Sequence, residues 1–565
     1  MNDLPETLEL LSARIDALEK RLDALEHPSA TLVEPFALPQ AAPTAAATVD
    51  ENPIDQTSGA FAVLGKAMLG IAGAYVLRAV AESSLVSGHV IAAVAIAYAV
   101  AWLVVATRAS ARAYFAGAVY AATSSMILTP MLWELTLRFK VLSPEWAAGV
   151  LGGFVVVAAV LSLTRNRLPV FWVAQGAAAV AALALSIATH AMVPFIVALL
   201  LMVLVCELAN IRHRKQPVRP LVAALTDVAI WALIFIYSGA PSTRADYPAL
   251  GTAALVAPAC LLFLIDAVNI AIRTAFLSQS ITIYETVQAT VAFLLAASSV
   301  LYFTPHSGAI VMGIACLILS AASYAAAFVR FRPFAAQRNF RVFSAWSTGL
   351  LLAGVLWGLP AEWMPACLGL AALAAIALGI RMECMTLECH GVIYLVAAAI
   401  AAGLPEYAYR SLAGPLPSKP PWSILLVSTC AMLSYAIARE RRGEAWRQQI
   451  LHLVPSLLAA CSVAALMVQG LLWLAALAIT TDVVHVALIR TLILCSVALA
   501  LAFGGAWWRR LEMTRIAYAT LAFVAAKLLF EDLRHSRMEF IAASIFLFAV
   551  TLIGVPRLAR MGHKT

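Results

Sequence analysis

Apolar residues fill most of this chain in runs of about twenty, each closed by a short polar and usually basic stretch. A helix rises about 1.5 Å per residue, so about twenty apolar residues cross the ~30 Å hydrocarbon core of a bilayer. The runs place spans at 60–82, 88–106, 113–133, 146–163, 168–187, 191–210, 220–238, 248–269, 285–303, 308–329, 341–358, 363–380, 390–404, 421–438, 450–477, 483–506, 513–530 and 538–556. Hydrocarbon offers no water to a bare backbone, so each run closes its hydrogen bonds within itself as a helix. The pattern therefore predicts an all-α polytopic membrane protein of about eighteen transmembrane helices, within a range of 16–20. Runs 390–404 and 146–163 are short for a full crossing.

Ahead of the spans the periodicity changes. Leu4, Leu8, Leu11, Ile15, Leu18, Leu22 and Leu25 recur with gaps of four and three, the a/d repeat of a left-handed coiled coil. With Leu8, Ile15 and Leu22 at a, Arg14 and Arg21 at g face Glu19 and Glu26 at e of a parallel partner. The seam Leu8, Leu11, Ile15, Leu18, Leu22 and Leu25 thus predicts self-association through residues 4–25, and a single helix packed elsewhere would use the same stripe. Pro28 ends it. Residues 28–59 are rich in Ala, Pro and Thr, with Pro35, Pro39, Pro43 and Pro53 as helix breakers, and read as a flexible linker. The organisation expected is a coiled-coil helix at 1–27, a linker at 28–59, a transmembrane domain at 60–558 and a tail at 559–565.

Composition supports this and narrows function. Of 565 residues, 63% are hydrophobic and 12% charged, half the roughly 25% of a soluble domain. The net charge of +8 is not a nucleic-acid footprint, because Lys and Arg sit singly or in pairs at span ends. With the amino terminus inside, the cytoplasmic loops hold twenty-four basic residues and the opposite loops eight, which predicts an even span count and two cytoplasmic termini. Trp507 and Trp508 before Arg509, and Trp146, Trp363 and Trp422 at the other face, suit an aromatic belt. The nine cysteines fall mostly inside apolar runs and imply no disulfide framework. No Walker loop, G-x-S-x-G or H-E-x-x-H phrase occurs. No cofactor and no covalent chemistry are expected. Arg212, Arg330, Arg439 and Arg557, spaced by 118, 109 and 118 residues, suggest a four-helix internal repeat, although alternating basic loops produce similar spacings.

A charge deep in a bilayer costs at least about 2.5–3.5 kcal/mol on insertion scales, so ionisable residues inside spans are where chemistry is sought. Arg78 and Glu82 stand one turn apart at the end of the first span, where snorkelling to the interface is the simpler reading. Asp227 lies a turn inside its span. Asp266 with Asn269 closes the next, and Glu285 with Gln288 opens the one after, as interfacial caps or as a polar site. Arg490 falls inside a single apolar run with His485 nearby, and requires a carboxylate partner or an anionic ligand. Lys527 precedes Glu531 and Asp532 by about one turn, an internal salt bridge or a lysine-carboxylate element of the bundle. Cys384, Cys389 and His390 sit on a cytoplasmic loop without the spacing of a metal site.

Two phrases resemble a known family. Leu64-Gly-Lys-Ala-Met-Leu-Gly-Ile-Ala-Gly-Ala-Tyr-Val-Leu-Arg78-Ala is similar to the glycine-spaced first-span phrase of a bacterial family of predicted membrane proteins, catalogued as domain of unknown function 2339. Lys527-Leu-Leu-Phe-Glu-Asp532-Leu, followed by Arg537-Met-Glu-Phe-Ile and a last span, resembles that family's carboxy-terminal phrase. Arg78 departs from the lysine of the family phrase. The resemblance implies a cytoplasmic coiled coil before many spans in a bacterial inner membrane, and names no activity. Three functions fit: a transporter or flippase using an intramembrane polar site, a scaffold oligomerising through the coiled coil, and an enzyme acting on lipid-linked glycans. For the enzyme, only Pro405–Pro421, with Glu406, Tyr407 and Arg410, offers a sizeable surface opposite the cytoplasm.

Overall fold

The computed structural model describes residues 53–83, 86–109, 114–212, 216–305, 307–332, 337–417, 420–437, 445–478, 483–532 and 538–561. The coiled-coil seam at Leu8–Leu25, linker residues 28–52 and the tail from 562 lie outside the described residues. Among the described residues every regular element is helical. In chain order these are α1 Pro53–Glu82, α2 Gly88–Arg108, α3 Tyr114–Trp133, α4 Pro144–Thr164, α5 Leu168–Ala188, α6 Met192–Arg212, α7 Arg219–Ser238, α8 Thr252–Ala271, α9 Ile283–Phe303 and α10 Ser307–Ala325. There follow α11 Gln337–Gly358, α12 Met364–Arg381, α13 Met385–Ala401, α14 Leu404–Leu412, α15 Trp422–Ile437, α16 Ala445–Ala478, α17 Val483–Trp507, α18 Leu511–Lys527 and α19 Met538–Met561.

All eighteen apolar runs fall on helices. Among the described residues sixteen helices are long and apolar enough to cross a membrane. The run at 146–163 is one of them, because α4 starts at Pro144 with the Ser143 side chain accepting from the Trp146 amide. Run 390–404 is different. It belongs to α13, which meets α14 at an angle of 62° across Gly403, whose φ of 70° suits a residue without Cβ. The remaining run is the 16-residue α15. The first half of the surface expected at Pro405–Pro421 is α14, with Tyr407 buried and Glu406 paired to Arg410 at 2.6 Å. Pro53, a breaker in the sequence reading, begins α1 instead, where its missing N–H costs nothing.

The membrane domain lies in the unit Ala62–Thr565. Its packing divides into two bundles. The largest core runs continuously from α2 to α9, while the remaining large cores lie within α10–α19. The bundles touch mainly through α9 and α10. The arginine spacing would cut after α6, α10 and α15, and the cores divide after α9. Every second loop carries arginine whatever the packing, so the spacing follows topology. Helix approach inside each bundle rests on small residues, as expected where lipid supplies no hydrophobic drive between helices. At Gly70 and Gly73 on α1 a Cβ would stand 2.5 Å from the Trp102 ring and 2.4 Å from the Tyr98 hydroxyl, and Tyr98 donates to the Gly70 carbonyl at 3.0 Å. At the α10–α11 crossing a Cβ on Gly313 would lie 2.3 Å from the Gly358 Cα.

Among the described residues four spans end in a π-helical turn: Glu134–Arg138 after α3, Ile272–Phe276 after α8, Ala326–Phe331 after α10 and Leu528–Asp532 after α18. Such turns are rare and disturb the register of the helix that carries them. Here each one bears a charged residue that is paired: Glu134 and Arg138, Arg273, Arg330, and Glu531.

Candidate functional site

The membrane ends of α6 to α9 that carry Arg212, Arg219 and Arg273 bring together charges that lie far apart in the chain. Glu207 on α6 accepts through one oxygen from Arg219 Nε on α7, and through the other from the Asn269 amide on α8 at 2.5 Å. Arg219 Nη1 also reaches Glu285 on α9 at 3.0 Å, and Arg273, from the π turn after α8, pairs with the same Glu285 oxygen. The Arg219 guanidinium stands 4.9 Å over the Tyr284 ring. Glu285 completes a capping box with Thr282 at the start of α9, so the carboxylate that closes the helix end also closes the ion network. Two carboxylates and two guanidiniums balance here, and three of the four residues are buried, Glu207 to 3%. Taking these ions out of water is costly unless each is paired and hydrogen-bonded, which is the arrangement found.

A second tier lies deeper on the same helices. Asp227 on α7 accepts from the Gln288 amide on α9 at 3.0 Å. Asp266 on α8 lies beside Gln288 and in the field of Glu207, Arg219 and Asp227. Asp266 is 3% exposed, and no protein donor reaches its Oδ2 or the Oδ1 of the buried Asn269. The sequence-derived candidates Asp227, Asp266 and Glu285 are thus one site. Glu207, Arg219 and Arg273 were not singled out in the sequence. Glu207 had a usable signal, a lone carboxylate within run 191–210, whereas the two arginines looked like topology markers.

Arg490 and Lys527 form a separate cluster in the second bundle. Arg490 is 3% exposed. Its Nε donates to the Ser411 carbonyl at 2.8 Å, Nη2 to the carbonyls of Arg410 at 2.9 Å and Gly414 at 2.5 Å, and Nη1 to Glu531 at 2.6 Å. The Arg410 and Ser411 carbonyls belong to the unsatisfied last turn of α14, where the helix dipole is negative, and Gly414 lies just beyond it. Arg490 therefore caps the half-helix that follows the bend at Gly403. Lys527 donates to the Ala487 carbonyl at 3.0 Å and the Thr491 hydroxyl at 2.9 Å, and stands 3.5 Å from Glu531. Asp532 closes the π turn, and its side chain lies outside the described residues.

At the end of the first span Arg78 pairs with Glu134 at 3.0 Å and Glu82 with Arg138 at 2.8 Å, tying α1 to α3. Arg78 and Glu82 are partly exposed, and their ion pairs are with each other, Glu134 and Arg138, not with members of either cluster. Cys384 caps α13 and Cys389 and His390 lie on its first turns, not on a loop. His390 Nδ1 is 3.0 Å from the Tyr324 hydroxyl, itself 2.6 Å from the Tyr394 hydroxyl. Among the described residues no three His, Cys, Asp or Glu side chains gather as metal ligands.

Between the bundles lies a crevice of about 460 Å³, lined by α8 and α9 on one side and by α10 and α11 on the other. Phe263, Ile270, Phe293, Leu319, Phe343 and Trp346 give it an almost wholly apolar wall, with Thr290 and Ser323 as exceptions. Its walls α8 and α9 carry the charge cluster. A polar latch joins the bundles at the arginine-bearing ends. Arg330 donates to the Ala275 carbonyl and to the Ser278 hydroxyl at 3.1 Å, and Asn339 on α11 pairs both with the Ile281 amide and with the Gln279 carbonyl at 2.9 Å. Elsewhere along the interface Phe293 stacks on Trp357 at 6.4 Å. Compared with family models, with curated proteins and with solved structures, the chain finds no match.

Proposed function

We propose that this integral membrane protein is a carrier of the transporter or flippase kind, and that its substrate is an anionic amphiphile whose tail enters the crevice between the bundles. The observation that carries this reading is the apolar crevice of about 460 Å³, one wall of which is α11, whose first turns hold the exposed Arg338 and Arg341. An acyl chain matches the walls, and arginine binds a phosphate or carboxylate headgroup through its fork of donors. Two bundles meeting along a latch and a ring stack have the parts needed for rocking about a site near the middle of the membrane.

Gly349 lines the crevice, and a Cβ there would meet nothing within 4 Å. Gly349→Phe fills the space without a clash against the backbone. In proteoliposomes with a fluorescent anionic lipid, wild type is expected to speed transbilayer exchange and to retain lipid through purification, and Gly349→Phe to lose both. Equal exchange and equal lipid retention in the two proteins would overturn the reading. The scaffold alternative rests on the seam at residues 4–25, and the glycan-enzyme alternative loses its open loop to α14.

Orientation with both termini in the cytoplasm of a bacterial inner membrane belongs to the same proposal, supported by the threefold bias of Lys and Arg. So does kinship with the family catalogued as domain of unknown function 2339. Its two phrases fall on the α1 surface that packs on Tyr98 and Trp102, and on the π turn that pairs Glu531 with Arg490.

A further inference from the structure

The two tiers of the first-bundle cluster differ in charge balance. The outer tier holds Glu207 and Glu285 against Arg219 and Arg273. The deeper tier holds Asp227 and Asp266 with only the Gln288 amide between them, and among the described residues no cationic side chain pairs with either. Asp266 lies ten residues before the end of its helix at Phe276, roughly 15 Å at 1.5 Å per residue. Asp227 lies eight residues beyond the start of α7, roughly 12 Å. Two full negative charges at that depth cost far more than one amide donor returns.

A second observation gives the sign of what is missing. Among the described residues, the atoms of this tier without a protein partner are Asp266 Oδ2 and Asn269 Oδ1, both acceptors, three residues apart on one face of α8 and on residues 3% and 4% exposed, and of the groups around them the Tyr284 hydroxyl is also without a partner. A donor or a cation is what they lack. Hard cations take oxygen ligands, and carboxylate and amide oxygens of this kind hold small ions in the membrane. We propose that Asp266, with Asn269, Asp227 and Gln288, binds a small monovalent cation, supplied by solution as sodium or as a proton. The site does not depend on what occupies the crevice.

The groups that face it are Glu207 from α6, Arg219 from α7, Arg273 from the turn after α8, and Tyr284 and Glu285 from α9. Bound charge there would set the strength of the outer pairs and, through Arg273 and its hydrogen bond to Gln279 at 2.9 Å, the loop that Asn339 latches.

The test is the melting temperature of the full chain in nanodiscs. Sodium chloride is titrated against choline chloride at constant ionic strength and fixed pH. A pH series follows without sodium. For sodium, wild type is expected to show a saturable upward shift, and Asp266→Asn and Asp227→Asn to weaken its apparent affinity at least tenfold. For a proton, sodium has no specific effect, wild type loses stability as pH rises, and Asp266→Asn removes most of that slope. If either variant fails to fold, the other and the wild-type titrations still decide. Wild type indifferent to both sodium and pH, or variants that respond as wild type does, would overturn the proposal and leave only structural water at these oxygens.

Discussion

Arg490 and Asp266 are equally buried, yet their surroundings are opposites. Around Arg490 three backbone carbonyls and Glu531 take up the guanidinium, and Lys527 fastens the same carboxylate. Around Asp266 one amide and one arginine already engaged elsewhere leave an acceptor oxygen without a donor among the described residues. A buried charge whose bonds are closed within the protein stabilises a shape, here the 62° turn between α13 and α14. A buried charge left with an open bond is poised to exchange something with its surroundings. Burial alone does not separate the two cases, whereas an account of donors and acceptors does.

That contrast can be broken most sharply at its closed side. Arg490→Met strands three carbonyls and takes from Glu531 the closer of its two cations, and breaking a buried pair from one side costs about 3–5 kcal/mol. A large loss of unfolding free energy is expected in detergent-resistance or denaturant titrations. Arg490→Lys should recover only part of it, because an ammonium cannot reproduce the fork. Next in size is Gly313→Ala, whose added carbon meets the Gly358 backbone. Overpacking of this kind costs about 1–3 kcal/mol and should show as a lowered melting temperature. Asn339→Leu removes two hydrogen bonds of the latch, a loss of about 1–3 kcal/mol that should also quicken hydrogen exchange at Gln279–Ile281. The smallest effect belongs to the open side. Asp266→Asn removes surplus negative charge and should change stability in sodium-free buffer at neutral pH by less than about 1 kcal/mol, or raise it. A loss as large as that of Arg490→Met would erase the distinction.

Much of this was legible before any coordinates, because hydropathy reports each span separately. Every apolar run became a helix, and Asp227, Asp266, Glu285, Arg490 and Lys527 stood out as polar residues in apolar surroundings. What hydropathy cannot report is which spans are neighbours. In sequence Asp227, Asp266 and Glu285 fit helix caps as well as a polar site, and they become one site because α7, α8 and α9 present the same ends to one another. Arg219 and Arg273 were counted as loop charges since sequence position alone does not say whether an arginine at a span end faces water or a carboxylate. Arg490 called for a carboxylate partner or an anionic ligand, and has that carboxylate in Glu531. Its carbonyl partners exist only because the chain bends at Gly403, and a bend leaves little trace in a profile averaged over twenty residues. Glu207 was overlooked although its signal was as plain as that of Asp227.

The four π-helical turns carry a consequence for how such a protein changes over time. Relative to an α-helix, a π turn holds one residue more, and that residue rotates everything on one side of it by roughly 100° against the other. Loss of one codon within 134–138, 272–276, 326–331 or 528–532 would let the helix close in ordinary register and swing Glu134, Arg273, Arg330 or Glu531 away from its partner. The apolar runs, and with them the hydropathy profile, would hardly alter. Two chains with the same apparent topology can therefore differ in their buried chemistry by a single-residue change in length, so length at these four places is the trait to compare first between relatives.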